Sequence, residues 1–430
     1  MQDLKDLPLV GIILTPVIMS VTVIWPQILL YYLVLDSWLI LRISQISFLH
    51  PAVTLNRILV YCGLIVVIVR RLKKGRLVPA ATTSVMSVLV TVFILYCFYS
   101  YYTYTHTFGL TILNNLVFYF LALMLLDTDF ERSFRHICII AIIPVLLLSL
   151  TSIINMIAHM DVGQRSFAGN RIHSSFKTLL GICFLIPFRE MVRDKRTLRV
   201  GVTLAIIMGV ILVSLSLGRM VTFILLVVTL FYFARRYISV KILCAAVAVV
   251  LLFLVCQPHL VSTYLRKLVR TPSSGNYEIS KYDRNEMAAF TSGRSDAYKA
   301  AWEMYLKSPF VGIGYDRWLY LHKGQPGSSL HSRWLQILVE TGIPGFALYT
   351  ALFVFSFVVL IRRILACRRV GSKLHIADAL TGAMLCFLFI GLTDNHGFTD
   401  RAFYLFLAMT ATLQKTGFSQ KDSSDSQRHA

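Results

Sequence analysis

Three residues of this 430-residue chain have the types and settings for chemistry at a phosphate-bearing substrate: His331, Arg294 and Arg219. His331 follows SSL and opens an aliphatic stretch, WLQILVETG. An imidazole titrates near neutrality, which makes histidine the usual general base for a hydroxyl nucleophile. Arg294 sits in SGRSD, just before a helical pattern over 295–307. A helix start offers free N–H groups and a positive dipole end, so a guanidinium there can clamp a phosphate. Arg219 interrupts the apolar run LVSLSLGRMVTFILL. A charge at a bilayer centre costs about 2.5–3.5 kcal/mol on insertion scales, a cost that falls near the interface and that an anionic ligand offsets.

A second set of cations stands beside these. Arg165 and Arg171 lie in HMDVGQRSFAGNRIHSS, Lys177 follows it, and Arg401 ends TDNHGFTDR. As a set they suit a basic pocket for a diphosphate; singly, each also reads as a lipid-headgroup contact. A lone loop histidine is more often a surface residue, and a loop arginine is often only solvated. His173 and His396 are weaker histidine candidates, and the pairs Asp394/Asp400 and Asp296/Glu303 show no distinctive spacing. No Asp-x-Asp motif lies on the side that carries these cations, which disfavours a metal-dependent transferase. No metal site and no cofactor is expected.

The elements that must position these residues are membrane helices. The chain is 57% hydrophobic and 15% charged, against about 25% charged in a soluble domain. Apolar runs recur along its whole length, so the expected fold is an all-α polytopic membrane protein. The net charge of +21 reads as topology signal rather than a nucleic-acid surface, since no zinc-type spacing or basic-aromatic strand pattern accompanies it. The start, MQDLKDLP, is a poor signal-peptide n-region, so the first span is expected to stay. The eight cysteines form no C-x-x-C or Cys/His ligand spacing, and none falls between 258 and 343.

Letting Lys/Arg clusters such as RRLKKGR, REMVRDKRTLR, ARRYISVK and RRILACRRVGSK mark one side gives about twelve spans with both termini on that side. Nine spans over 1–257 lead into one large polar insertion at 258–343. Three more spans occupy 344–414, and 415–430 reads as a disordered tail. Residues 36–50 and 259–270 read as interfacial helices, and YCFYSYYTYTHTF as an aromatic belt on the side of the insertion. Within the insertion, Tyr298, Trp302 and Tyr305 recur at helical spacing over 295–307. A Gly/Pro-rich connector follows. A third helix starting near His331 ends at Gly342, with Pro344 preventing continuation.

The pattern GRSDAYKAAWEMYLKSPFVGIGYDRW, then HSRWLQILVETGIPG, resembles the O-antigen ligase/polymerase family of bacterial inner membranes. In that family a loop-helix Arg precedes Trp…Met…Ser-Pro…Gly-x-Gly, and a His precedes an aliphatic helix ending in Glu-x-Gly-Ile-Pro-Gly. SLGRMVTF resembles the family's Arg at the start of its eighth span, and RSFAGN its Arg…Gly loop. The family has His-Asn where this chain has His331-Ser332, and some ligases carry a second His where Ser329 stands.

The resemblance implies transfer at the periplasmic face of the inner membrane. The donor would be an undecaprenyl-diphosphate-linked glycan and the acceptor a sugar hydroxyl of lipid A–core. His331 would be the base, Arg219 and Arg294 would hold the diphosphate, and Arg401 would assist. An O-antigen polymerase and a protein O-oligosaccharyltransferase are rivals within the family. A lipid-linked-sugar flippase is the rival from another class; it predicts midplane charges and two similar halves.

Overall fold

The computed structural model describes residues 20–21, 25, 27–39, 55–75, 78–106, 109–127, 129–159, 171–215, 219–238, 294–321, 330–366, 371–393 and 401–416. The expected ninth span, the 259–270 helix, Arg165 and the RSFAGN loop lie outside these residues. So do most of the 36–50 segment and the chain beyond 416.

The described residues are helical, with no strand among them. In chain order they form α1 (Gln27–Leu39), α2 (Leu55–Lys73), α3 (Val85–Thr105), α4 (Leu110–Leu126), α5 (Phe130–His159) and α6 (Arg171–Met191). These are followed by α7 (Arg196–Leu215), α8 (Arg219–Ala234), α9 (Arg294–Lys307), α10 (Trp318–Leu321), α11 (Arg333–Ala366), α12 (Gly371–Thr393) and α13 (Arg401–Thr416).

Five stretches are long and apolar enough to cross a membrane: Val85–Thr105, Phe130–Ser152, Arg196–Ser214, Arg333–Ala366 and Leu374–Leu392. Ile112–Leu126 and Met220–Ala234 are shorter apolar helices. The burial pattern supports a membrane setting independently of length. On α3 the exposed residues include Val85, Val88, Val92 and Leu95; on α5, Ile139, Ile143, Leu147 and Leu150; on α8, Phe223, Leu226 and Leu230. These are helical stripes of large apolar side chains turned outward, a pattern that water penalises and lipid does not.

At the centre, the described side chains of α6 from Ser174 to Phe188 and of α13 from Ala402 to Leu413 are buried without a break. Both segments coincide with expected spans and are enclosed by other helices. α12 packs along α6, α11 and α8, and α13 packs on α4 and α12.

The first span, read near 8–33 with kinks at Pro16 and Pro26, is described only in part: residues 20–21 are helical, Trp25 is not, and α1 runs from Gln27. α1 then runs on to Leu39, into the segment read as interfacial. At the other end, α13 continues two residues into the expected tail, with Lys415 in its last turn, where a cation suits the dipole.

Short connections fix which ends share a face. α6 and α7 are joined by 192–195, α7 and α8 by 216–218, and α11 and α12 by 367–370. Side-chain ties agree. Arg71 at the end of α2 pairs with Asp127 at the end of α4 at 2.6 Å. Arg235 after α8 donates to Asp378 near the start of α12 at 2.9 and 3.2 Å. Arg363 reaches the Leu413 carbonyl near the end of α13 at 2.8 Å. The starts of α6, α8, α11 and α13 therefore lie toward the opposite face, together with the end of α3 and with α9.

Candidate functional site

The site is built where the end of α3 meets the connector after α9 and the first turns of α11. α3 carries polar residues every fourth position on one side, and each grips loop backbone. Tyr96 Oη donates to the Thr341 carbonyl at 3.0 Å, and Tyr104 Oη to the Gly312 carbonyl at 2.7 Å. Ser100 Oγ accepts from the Tyr315 amide at 3.2 Å. The expected aromatic belt is therefore divided: Tyr99 and Tyr102 face outward, 61% and 49% exposed, while Tyr96 and Tyr104 hold the connector. Replacing Tyr104 by Phe leaves the Gly312 carbonyl short of a donor at a buried glycine, at a cost of about 1–3 kcal/mol. The melting temperature in detergent should fall accordingly, and Tyr102→Phe should leave it unchanged.

The two halves of the motif lock together through backbone. The Ile313 amide donates to the Val339 carbonyl at 3.0 Å, the Gly314 amide to the Glu340 carbonyl at 2.9 Å, and the Ile343 amide to the Pro309 carbonyl at 2.9 Å. Such close approach requires glycine. A Cβ on Gly312 (φ 75°) would lie 2.4 Å from the Glu340 carbonyl, and one on Gly342 (φ 67°) 2.6 Å from the Phe310 carbonyl. Gly342 ends the first segment of α11, as its place before Pro344 predicts, and the helix resumes beyond a kink.

Behind this lock lies a small core of Ala297, Ala301, Trp318, Leu330 and Val339, which joins α9 to α11. Its polar members are satisfied in part by one another. Glu340 is fully buried, and its Oε1 accepts from the Trp318 amide at 3.2 Å and from Gln336 Nε2 at 2.9 Å. Arg333, 3% exposed, donates from Nη2 to Tyr315 Oη at 3.0 Å. Burial raises the Tyr315 pKa beyond the ordinary phenol value, so it stays neutral as Arg333's acceptor.

His331 sits on the rim of this core. Its neighbour Leu330 is completely buried, whereas His331 is half-buried. Its φ of 46° places it in the left-handed region and turns the chain into α11. Ser332 begins the helix: its carbonyl accepts from the Gln336 amide at 3.0 Å and its hydroxyl from the Leu335 amide at 3.4 Å. Asparagine caps helices as well as serine does. The departure from the family's His-Asn pair thus preserves the local physics, and Ser332 serves as a cap.

Arg171, Arg219, Arg294 and Arg401 are the first described residues of α6, α8, α9 and α13. Arg294's helix packs on α11, so it belongs to the same unit as His331. Tyr404, one turn into α13 from Arg401, lies within electrostatic reach of Arg333 and Tyr315. Arg219 and Arg171 begin helices that pack on each other and on α12, which in turn lines α11.

Lys177 is placed more tellingly than its sequence setting suggests. It is 1% exposed on α6, among the largest fully buried side chains. A buried ammonium is a functional marker in membrane proteins. Its signal in the sequence is a lone cation between SSF and TLLGICF. Among the described residues, no group of three His, Cys, Asp or Glu is arranged to hold a metal ion.

Residues 202–350 match the family model described as O-antigen ligase. The matched stretch contains Arg219, Arg294 and His331 together with both halves of the interlocked motif. No curated protein matches the chain.

Proposed function

We propose that this chain, whose residues 202–350 match the family model described as O-antigen ligase, is an O-antigen ligase. It moves a glycan from undecaprenyl diphosphate to a sugar hydroxyl of lipid A–core, on the periplasmic face of the bacterial inner membrane. What supports this reading is that the matched stretch, 202–350, holds Arg219, Arg294 and His331 together with both interlocked halves of the motif.

In the proposed step, His331 takes the proton of the acceptor hydroxyl as its oxygen attacks the anomeric carbon. The bond from that carbon to the diphosphate oxygen breaks, and its electron pair leaves with the diphosphate. Arg219 and Arg294 hold that growing charge, with Arg401, Arg171, Arg165 and buried Lys177 completing the cationic wall. The leaving group is already stable as an anion, so fixed cations and orientation supply what the step needs, with no metal or cofactor. In this proposal α9 and α11, which pack on each other, supply clamp and base, while α6, α8 and α13 supply the remaining cations.

Complementation tests the reading. Wild type, Arg219→Ala and Arg294→Ala are expressed in a ligase-null Gram-negative strain supplied with the native donor and core loci. Wild type should restore a lipopolysaccharide ladder on core. Each arginine variant should lose it at equal membrane levels, each guanidinium being worth about 2–3 kcal/mol at a charged ligand. Failure of wild type there, with repeat-length distribution restored in a polymerase-null strain, would assign the polymerase reaction instead.

A further inference from the structure

The aromatic spacing of α9 is used by nothing in the transfer chemistry. Ala297 and Ala301 bury one side of this helix against α11. The adjoining flank carries Trp302, 50% exposed, and Leu306, 60% exposed, with the Tyr305 ring 5.1 Å from the Trp302 ring. The far flank is polar, with Lys299, Glu303 and Lys307 exposed. Directly after the helix, the turn at 308–311 presents Phe310 at 69% and Val311 at 42% exposure. That turn is tied to the bundle by the Ile343 amide, which donates to the Pro309 carbonyl. Ile343 is itself 43% exposed and is the first residue of α11 beyond the Gly342 kink. The apolar flank of α9 thus runs through Phe310 into the start of the membrane-crossing half of α11.

We propose that this flank and turn rest in the lipid interface of the membrane that α11 crosses. Two observations select lipid as the occupant. The patch is continuous with the surface of a helix whose outward residues, such as Val354 and Phe357, are already apolar and exposed. Its composition, a Trp and a Tyr with aliphatic neighbours and lysines on the water-side border, is that of an interfacial helix, whose amphipathic rings settle at headgroup level. The consequence is positional: α9 begins with Arg294 and shares a core with α11, so seating it in the interface holds the motif at the depth where a lipid-borne diphosphate lies. This surface stands whether or not the ligase reaction is correct.

The test places a benzophenone amino acid at 302, 306 or 310 of the full chain, reconstituted in phosphatidylethanolamine/phosphatidylglycerol vesicles with radiolabelled lipid. Positions 303 and 307 on the polar flank serve as controls. All are exposed, so the substitutions leave the core intact. Irradiation should give several-fold more protein–lipid adduct at 302, 306 and 310 than at 303 and 307. Equal, low adduct at all five positions would overturn the proposal. Adducts between two copies of the chain, in place of lipid, would assign the patch to a dimer interface and overturn it equally.

Discussion

His331→Ala should lose transfer by about 10²–10⁴-fold, the usual range for removing a general base, while the protein accumulates at wild-type levels in the membrane. The separation of these effects follows from where the residue sits. Leu330 and Ser332 do the structural work, one filling the core behind the motif and the other capping α11. The imidazole itself stands half-exposed on the rim. Alanine is not a neutral probe at this position, because φ is 46° and a non-glycine residue there costs on the order of 1–2 kcal/mol. His331→Asn is the companion variant: asparagine tolerates the left-handed region but offers no base. The same activity loss in both, with equal melting temperatures for Asn and wild type, would tie the effect to chemistry. Activity retained by the Asn variant would remove His331 from the reaction.

Gly342→Ala should give a large loss of stability for a single-methyl change. Gly342 has φ 67° and ψ −168°, a region essentially reserved for glycine, which costs about 1–3 kcal/mol when another residue is forced into it. The added Cβ would also meet the Phe310 carbonyl at 2.6 Å and the Pro309 carbonyl at 2.8 Å. These are backbone atoms, unable to swing aside, so overpacking adds about 1–3 kcal/mol. The sum approaches a sizeable fraction of a typical folding free energy of about 5–15 kcal/mol. Relief requires the 308–314 connector to part from the 339–343 segment, which breaks the three amide–carbonyl links across them. Thermal unfolding in detergent should shift down by several degrees, and protease should cut between 308 and 342 where wild type resists. Gly201→Ala is the control, since a Cβ there meets nothing within 4 Å. Equal melting temperatures for Gly342→Ala and wild type would mean that the two halves of the motif are not interlocked.

Much of this was legible in the chain because local rules suffice for it. The helix over 295–307, the break at Gly342 before Pro344, and the cations at the edges of apolar runs all follow from periodicity and from glycine and proline chemistry. The structure returns the first two as α9 and the kink in α11. What escaped was tertiary. Tyr96 and Tyr104 reach partners 245 and 208 positions away, and an aromatic cluster at a membrane edge reads equally well as a lipid belt. The four-residue spacing of Tyr96, Ser100 and Tyr104 is the signal that separates the gripping side of α3 from the lipid side. Lys177 was hidden for a similar reason, since burial on every side comes from helices far away in sequence.

The most direct test of the central claim is a reconstituted transfer assay. Purified chain is placed in vesicles with an undecaprenyl-diphosphate-linked glycan and lipid A–core, in the presence of a metal chelator. The account predicts glycan joined to core, with undecaprenyl diphosphate released in equal amount, and neither product from His331→Asn. Product formed at the wild-type rate by His331→Asn, or glycan extended only on the lipid carrier with the core untouched, would contradict it.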